Sequence, residues 1–330
     1  MTYRITRTLA LPALAFAALL SQPAPVLADT SLKLAHASSE ESLIQKAVLK
    51  FKDEVEKTTD GSVKVVIYPN GQLGDEGPIA DGVGAGAIDI GLGGVIDAID
   101  PKLGVITLPF LFKDFPNVHA VLDGPFGDKL KDMGQDHGFQ MLGFLDSGFR
   151  NYSNNRSPIE APADMKGLKL RCPPNPVILE TIKQLGALPQ SIPFGEVYTA
   201  LQSNVVDGAE PELRDFDDQK WYEVQKYVTI ANYIWTPNYW FMNKAKYDSL
   251  KPAERDAIGA AVKSTTDWYR GQLNAVYERI LTDAKAKGVK VNVLDTAPFQ
   301  AMVGPVYEKF SAEFGADLVN EVRQVAAQVR

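Results

Sequence analysis

Arginine is the residue type in this sequence best placed for chemistry. Arg171 closes a short predicted strand, 167–171. Open α/β sheets bind ligands just beyond the carboxyl ends of their strands. A guanidinium fork meets a carboxylate with two parallel hydrogen bonds, which a lysine point charge does not. Arg150, in Gly148-Phe149-Arg150-Asn151, falls where the chain is expected to cross between two halves. The plain alternative for each is a structural arginine, and Arg156 reads that way.

The sequence lacks the signatures of other site chemistry. His36, His119 and His137 are the only histidines and do not pair at metal-ligand spacing. Cys172 is the single cysteine, so no internal disulfide forms, and a packed thiol is favoured over a nucleophile. The sequence has no G-x-S-x-G, no phosphate loop, no H-E-x-x-H, and its glycines from Gly82 to Gly94 miss G-x-G-x-x-G. Asp215, Asp217 and Asp218 read as a solvated helix surface rather than a carboxylate pair. The expectation is a binding protein without cofactor or metal. The competing enzyme reading, acid/base work on acidic sugars by Glu210 or Asp207, needs two carboxylates facing one pocket.

The elements that must position these residues begin after an export signal. Arg4 and Arg7 precede an apolar stretch from Leu9 to Leu20, and Val26-Leu27-Ala28 is a small-residue cleavage site. Residues 1–28 are therefore set aside as a signal peptide, with cleavage after Ala28 and a periplasmic destination. Removing Arg4 and Arg7 from 34 basic residues leaves 32 against 41 acidic, a net charge of −9. Such an acidic chain is a poor match for nucleic acid or anionic lipid. An anionic ligand then needs local arginines to overcome the global field.

Residues 29–330 alternate strand and helix. Strands are read at 32–37, 62–68 and 88–92, with helices between them, the first capped by Ser38 or Ser39 with Glu40 and Glu41 in its first turn. The pattern restarts with strands at 167–171, 188–192 and 205–209 and helices at 176–185 and 194–204. It predicts an α/β fold of two lobes, each a mainly parallel sheet with helices on both faces. Crossings are expected near Phe149–Asn151 and Trp235–Tyr239. A helix over 252–287, with Pro252 in its first turn and Gly288 at its stop, is too long for one lobe and should lie along both. A strand at 289–294 and two more helices finish the chain. Lobe I comprises 29–149 plus 238–270, and lobe II 150–237 plus 271–330.

Four blocks then carry a family resemblance: Tyr68-Pro-Asn-Gly-Gln-Leu-Gly-Asp75, Ala163-Asp-Met-Lys-Gly-Leu-Lys-Leu-Arg171, Phe194-Gly-Glu-Val-Tyr-Thr-Ala-Leu-Gln202 and Val206-Asp-Gly-Ala-Glu210. In order and in register, they resemble the DctP family, the periplasmic substrate-binding proteins of tripartite ATP-independent periplasmic (TRAP) transporters. The resemblance implies a two-lobed periplasmic binding protein fold, a hinged cleft between the lobes, and a long helix shared by both. It also implies an organic-acid ligand and delivery to TRAP membrane permease subunits by a monomer. It places the carboxylate-binding arginine at Arg171 and a second arginine at Arg150.

Weaker candidates follow. Phe194 either packs on the ligand or joins a core. Asn175 and Glu210 suit ligand hydroxyls, as does Gln202. Many relatives carry asparagine where Pro211 stands here, which leaves Glu210, with Glu212 or Arg214, to set specificity. Trp235, Tyr239 and Trp240 either line the cleft or pack the hinge. His36, Ser38, Asp75 and Gly94 fall at loop ends facing the expected cleft, with helix capping the alternative for Asp75. Gly94 stands where some relatives carry an acid. A sugar acid or hydroxy acid is the favoured ligand, and a C4-dicarboxylate with Arg150 holding its second carboxylate is the alternative. A sensor contacting a receptor instead of a permease is the third reading.

Overall fold

The computed structural model describes residues 1–2, 30–94 and 99–329. The signal-peptide reading and its cleavage site fall outside these residues. Among the described residues no helix is long and apolar enough to cross a membrane.

The first half of the chain runs β1 (Thr30–His36), α1 (Leu43–Thr58), β2 (Val63–Tyr68), α2 (Glu76–Gly84), β3 (Ile90–Gly93), α3 (Phe115–Leu122), α4 (Pro125–Lys131) and β4 (Phe139–Phe149). It then enters β5 (Tyr152–Asn154), β6 (Lys169–Cys172), α5 (Pro176–Gln184), β7 (Leu188–Ser191), α6 (Val197–Gln202), β8 (Gly208–Ala209), α7 (Leu213–Asp218) and β9 (Tyr227–Ile230). It returns through β10 (Trp235–Asn243), α8 (Lys244–Ser249) and α9 (Pro252–Ala286), and closes with β11 (Lys290–Val293), α10 (Ala297–Gln300), α11 (Gly304–Phe314) and α12 (Ala316–Gln328).

Two sheets result, ordered β2-β1-β3-β10-β4 and β11-β9-β5-β8-β6-β7. Both are mixed; three of the five pairings in the second sheet are parallel, as expected, but only two of the four in the first, which corrects the expectation there. β1 is parallel to β2 and β3, but β10 is antiparallel to β3 and β4. The physical reason lies in the crossings. The chain leaves the first sheet through β4 and comes back through β10, so the two connecting strands run in opposite directions side by side. Trp235 pairs with Phe149, Arg150 N donates to Ile234 O at 2.7 Å, and Tyr233 N donates to Arg150 O at 3.1 Å. The outward crossing lies at Arg150–Asn151, as expected, but the return lies at residues 231–234, just before the Trp235–Tyr239 expected, which already belong to β10.

Local start signals differ in detail. Ser42 caps α1, its hydroxyl accepting from Gln45 N at 3.1 Å, so Glu40 and Glu41 precede the helix rather than opening it. The segment 194–204 is a 3₁₀ turn followed by the short α6, and the strand at 205–209 contracts to two residues. Three helices, not two, end the chain.

α9 reaches from one lobe to the other, about 52 Å at 1.5 Å per residue. Ile258, Ala261 and Val262 pack with α1 and the first sheet, whereas Ile280 and Ala284 pack with Val197, Phe216 and Trp221 by the second. On the opposite faces a continuous core joins Ile79, Leu103 and Val121 of the first lobe to Val177, Phe310 and Val322 of the second. Gly148 sits where this framework bends. Its φ is +132°, and a Cβ there would lie 2.1 Å from the Tyr277 hydroxyl.

Candidate functional site

A cavity of about 50 Å³ closes between the sheets, in a measure by which one water needs about 10–15 Å³. Its first-lobe wall comes from the ends of parallel strands. Ser38 follows β1 and Gly94 follows β3, while Glu76 opens α2. The Pro69-Asn70-Gly71 turn sets this up. Asn70 N and Gly71 N donate to Ser38 O and His36 O, folding the chain back over the end of β1 and delivering Asp75 and Glu76 to the cleft. Asn70 and Gly71 both have positive φ, which asparagine and glycine tolerate. β4 and β10 add Ser147, Thr236, Pro237 and Asn238.

The second-lobe wall holds Arg171, whose backbone pairs with Gln190 of the edge strand β7 and Ala209 of β8. Its side chain is 3% exposed. Nε donates to Ile192 O at 2.9 Å, and among the described residues neither Nη has a protein partner. Among the described residues no carboxylate lies within ion-pair distance of it. Burial, and then the nearby charge of Arg150, hold its pKa below the ordinary guanidinium value. Among the described residues Arg171 is a buried cation without a countercharge that faces a cavity, an arrangement that is costly to leave unpaired.

Arg150 is the opposite case. Its Nε and Nη2 grip Glu210, the latter at 2.7 Å, and Nη1 donates to Glu212 at 2.6 Å. Burial works against its charge, but Glu210 and Glu212 lift its pKa well above the usual value. Burial alone would raise Glu212; Arg150 and the Thr236 hydroxyl bring it below the normal carboxylate range. Arg214 is claimed as well, by Asp215 at 2.8 Å and Asp218 at 3.3 Å, and it donates to Ser147 Oγ at 3.2 Å.

Of the candidates read from the sequence, Arg171, Arg150, Phe194, Asn175, Ser38, Gly94, Glu212 and Arg214 line the cavity together. Asn175 also caps α5, accepting from Ile178 N at 3.1 Å. Seven do not line it, Gln202 and Trp240 among them. Glu210 is fully buried behind Arg150, where Tyr233 Oη donates to it at 2.6 Å. Trp235 donates from its indole to Asp146 and packs edge-on to Phe112, and Tyr239 donates to Leu103 O. These two aromatics therefore belong to the hinge core, because a large apolar ring is worth more in contact with other side chains than beside a polar ligand. His36 is buried against Gln45 at 2.8 Å, and burial lowers its pKa. Asp75 caps α2 and reaches across the cleft mouth to Gly195 N.

Sequence reasoning missed Glu76, Thr107, Ser147, Asp215, Thr236 and Asn238. The Asp215 reading is corrected: it is buried and ion-paired, not solvated surface. The carboxylate pair required by the enzyme reading does not form from Glu210 and Asp207. Glu210 is sealed off, and Asp207 pairs with Arg156 at 2.8 Å and caps the backbone of Lys169. Cys172 is buried, and burial pushes its thiol up.

Two α/β lobes joined by paired crossing strands, with a guanidinium facing the cleft between them, are the frame of a solute-binding protein. Residues 34–313 match the bacterial extracellular solute-binding protein family 7, DctP, and the chain belongs to that family. It is similar to the 2,3-diketo-L-gulonate-binding periplasmic protein YiaO of Escherichia coli strain K12, at 32% identity over 91% of this chain and 93% of that protein. It is also similar to the crystal structure of the sugar acid binding protein DctPAm from Advenella mimigardefordensis in complex with galactonate. That match has a TM-score of 0.87 and 32% identity, covering 91% of this chain and 98% of the other. A TRAP periplasmic solute binding protein from Sulfurospirillum deleyianum with bound succinate matches with a TM-score of 0.84 and 31% identity, over 92% of this chain and all of the other. The family is one of solute-binding proteins rather than enzymes.

Proposed function

We propose that this chain is the periplasmic receptor of a TRAP transporter that captures a sugar acid or hydroxy acid by its carboxylate on Arg171. It closes over the ligand and presents the loaded, closed form to a membrane permease. The observation that carries this reading is the buried guanidinium of Arg171, held by one backbone carbonyl and otherwise open to the cavity. Thr107, Ser147, Thr236 and Asn238 supply hydroxyl and amide groups around it, suited to ligand hydroxyls. The proteins named above for diketogulonate and galactonate support the same class of ligand.

A ligand shifts the hinge only by its differential affinity for the closed form. The carboxylate on Arg171 supplies that difference, because only closure desolvates the pair. Truncating one partner of such a buried charge pair costs about 2–5 kcal/mol. Calorimetry on Arg171→Ala with galactonate, gluconate and erythronate is the test: affinity falls at least about tenfold while the fold is retained. Unchanged affinity would falsify the assignment. Native mass spectrometry of freshly purified protein identifies the resident acid.

A further inference from the structure

Three arginines line the cavity, and two are already spoken for. Arg150 is shared by Glu210 and Glu212, and Arg214 by Asp215 and Asp218. Glu76 adds a fifth carboxyl, placed on the cavity wall by the backbone N–H of Gly94 at 3.1 Å. Among the described residues, Arg171 alone offers the cavity an uncompensated positive charge. We propose that the cleft selects acids with a single carboxylate and turns away dicarboxylates, with Glu76 enforcing the choice from the first lobe. This rests on the Arg171 reading above and goes further, because it assigns the charge of the ligand and the residue that polices it.

The argument is one of charge within a small, water-poor space. A monocarboxylate neutralises Arg171 and leaves the remaining groups in their existing pairs. A dicarboxylate brings a second charge that needs its own cation. Arg150 cannot supply it without releasing Glu210 or Glu212, each of which would then be buried and unpaired. Arg214 is bound in the same way by Asp215 and Asp218. The second carboxylate would also share the cavity with Glu76, and like charges so placed oppose binding strongly. A hydroxyl at that end of the ligand meets no such penalty, since it donates to a carboxylate or accepts from a carboxylic acid. Selectivity of this kind comes from a repulsive element as much as an attractive one. Gly94, with no side chain, leaves the Glu76 carboxyl exposed to whatever lies in the cavity.

The test uses matched acids that differ only at the terminal carbon: galactonate against galactarate, gluconate against glucarate, and erythronate against tartrate. Titration calorimetry at pH 8 on the full mature protein should show the best monocarboxylate binding about tenfold or more tighter than its dicarboxylate partner. Glu76→Gln, checked for an unchanged circular dichroism spectrum, should narrow that ratio by at least about threefold, mainly through tighter dicarboxylate binding. A dicarboxylate bound as tightly as its partner, with Arg171→Ala abolishing the binding of both, overturns the filter and leaves the carboxylate role of Arg171 standing. Monocarboxylate affinity that survives Arg171→Ala overturns the underlying reading instead. No binding of any of the three monocarboxylates at millimolar concentration overturns the proposal too.

Discussion

The Asp75 carboxylate accepts a hydrogen bond from the backbone N–H of Gly195 at 3.3 Å, joining the two lobes across the mouth of the cleft. Its other oxygen accepts from Glu76 N at 2.8 Å and so caps α2. One side chain thus ties the helix that presents Glu76 to the turn that presents Phe194. The contact exists only when the lobes are together, so it stabilises the closed form alone.

Asp75→Asn separates the two roles. The amide oxygen keeps the cap, while the amide nitrogen facing Gly195 has no lone pair to offer. A single hydrogen bond is worth about 0.5–1.5 kcal/mol net. The ligand should therefore dissociate about three- to tenfold faster, with the melting temperature of the ligand-free protein unchanged. Stopped-flow displacement reads the rate. An unaltered rate shows the cross-cleft contact to be idle.

Arg150 and Arg171 should answer mutation in opposite ways. Arg150→Met strands Glu210 and Glu212 in the interior, and breaking a buried pair of this kind costs about 3–5 kcal/mol. Arg171→Met removes a buried charge that, among the described residues, has no carboxylate partner, so the ligand-free protein keeps its stability or gains some while losing its ligand. Denaturant unfolding of the two variants gives the comparison. Equal losses of stability would show that Arg171 has a structural partner after all.

Gly148→Ala tests the hinge. Its backbone lies at φ +132°, and the added methyl would sit 2.1 Å from the Tyr277 hydroxyl, which itself donates to Ser147 O. A side chain in that region of backbone space is strained by of order 1–3 kcal/mol before the clash is counted. The expected result is a clearly lower melting temperature and weaker ligand binding, because Ser147 lines the cavity. A neutral substitution would show that the crossing yields easily.

What could be read from the chain divides along the range of the interactions. Short-range signals placed α1, α5, α9 and the strand that carries Arg171 next to its end, since periodicity, Pro252 and Gly288 act locally. The longest strand, β4, went unread. Phe139-Gln-Met-Leu-Gly-Phe-Leu-Asp-Ser-Gly-Phe149 is mostly buried and twice broken by glycine, so it shows no alternation, and only pairing with β10 defines it. The same holds at the site. Arg171 was legible because a strand end is a local property. Glu76 was not, because its place depends on β1 and β3 lying side by side. Asp215 looked like surface because its burial depends on Arg214 folding onto it. Trp235 and Tyr239 could not be assigned between hinge and cleft, as both environments accept an aromatic ring.

Glu76 should make ligand capture depend on pH. Burial raises its pKa from 4.5 to about 7, against the opposing pull of the Gly94 N–H and of Arg171. An open cleft exposes the carboxyl to water, where the ordinary value applies. The closed form therefore holds a proton that the open form has released, over the window between about 4.5 and about 7. The sign follows from linkage. Closure is favoured at the acid end of the window, weakens as pH rises through it, and levels off above about pH 7. Affinity for a monocarboxylate such as galactonate should fall across this range, although the ligand itself stays ionised. Calorimetry near pH 6 in buffers of different ionisation enthalpy should register proton uptake on binding. Glu76→Gln has no proton to gain there, so its affinity should be flat over the same range. Proton uptake that persists in the variant would place the titrating group elsewhere in the cleft, with buried Asp215, also raised by burial, the next to replace.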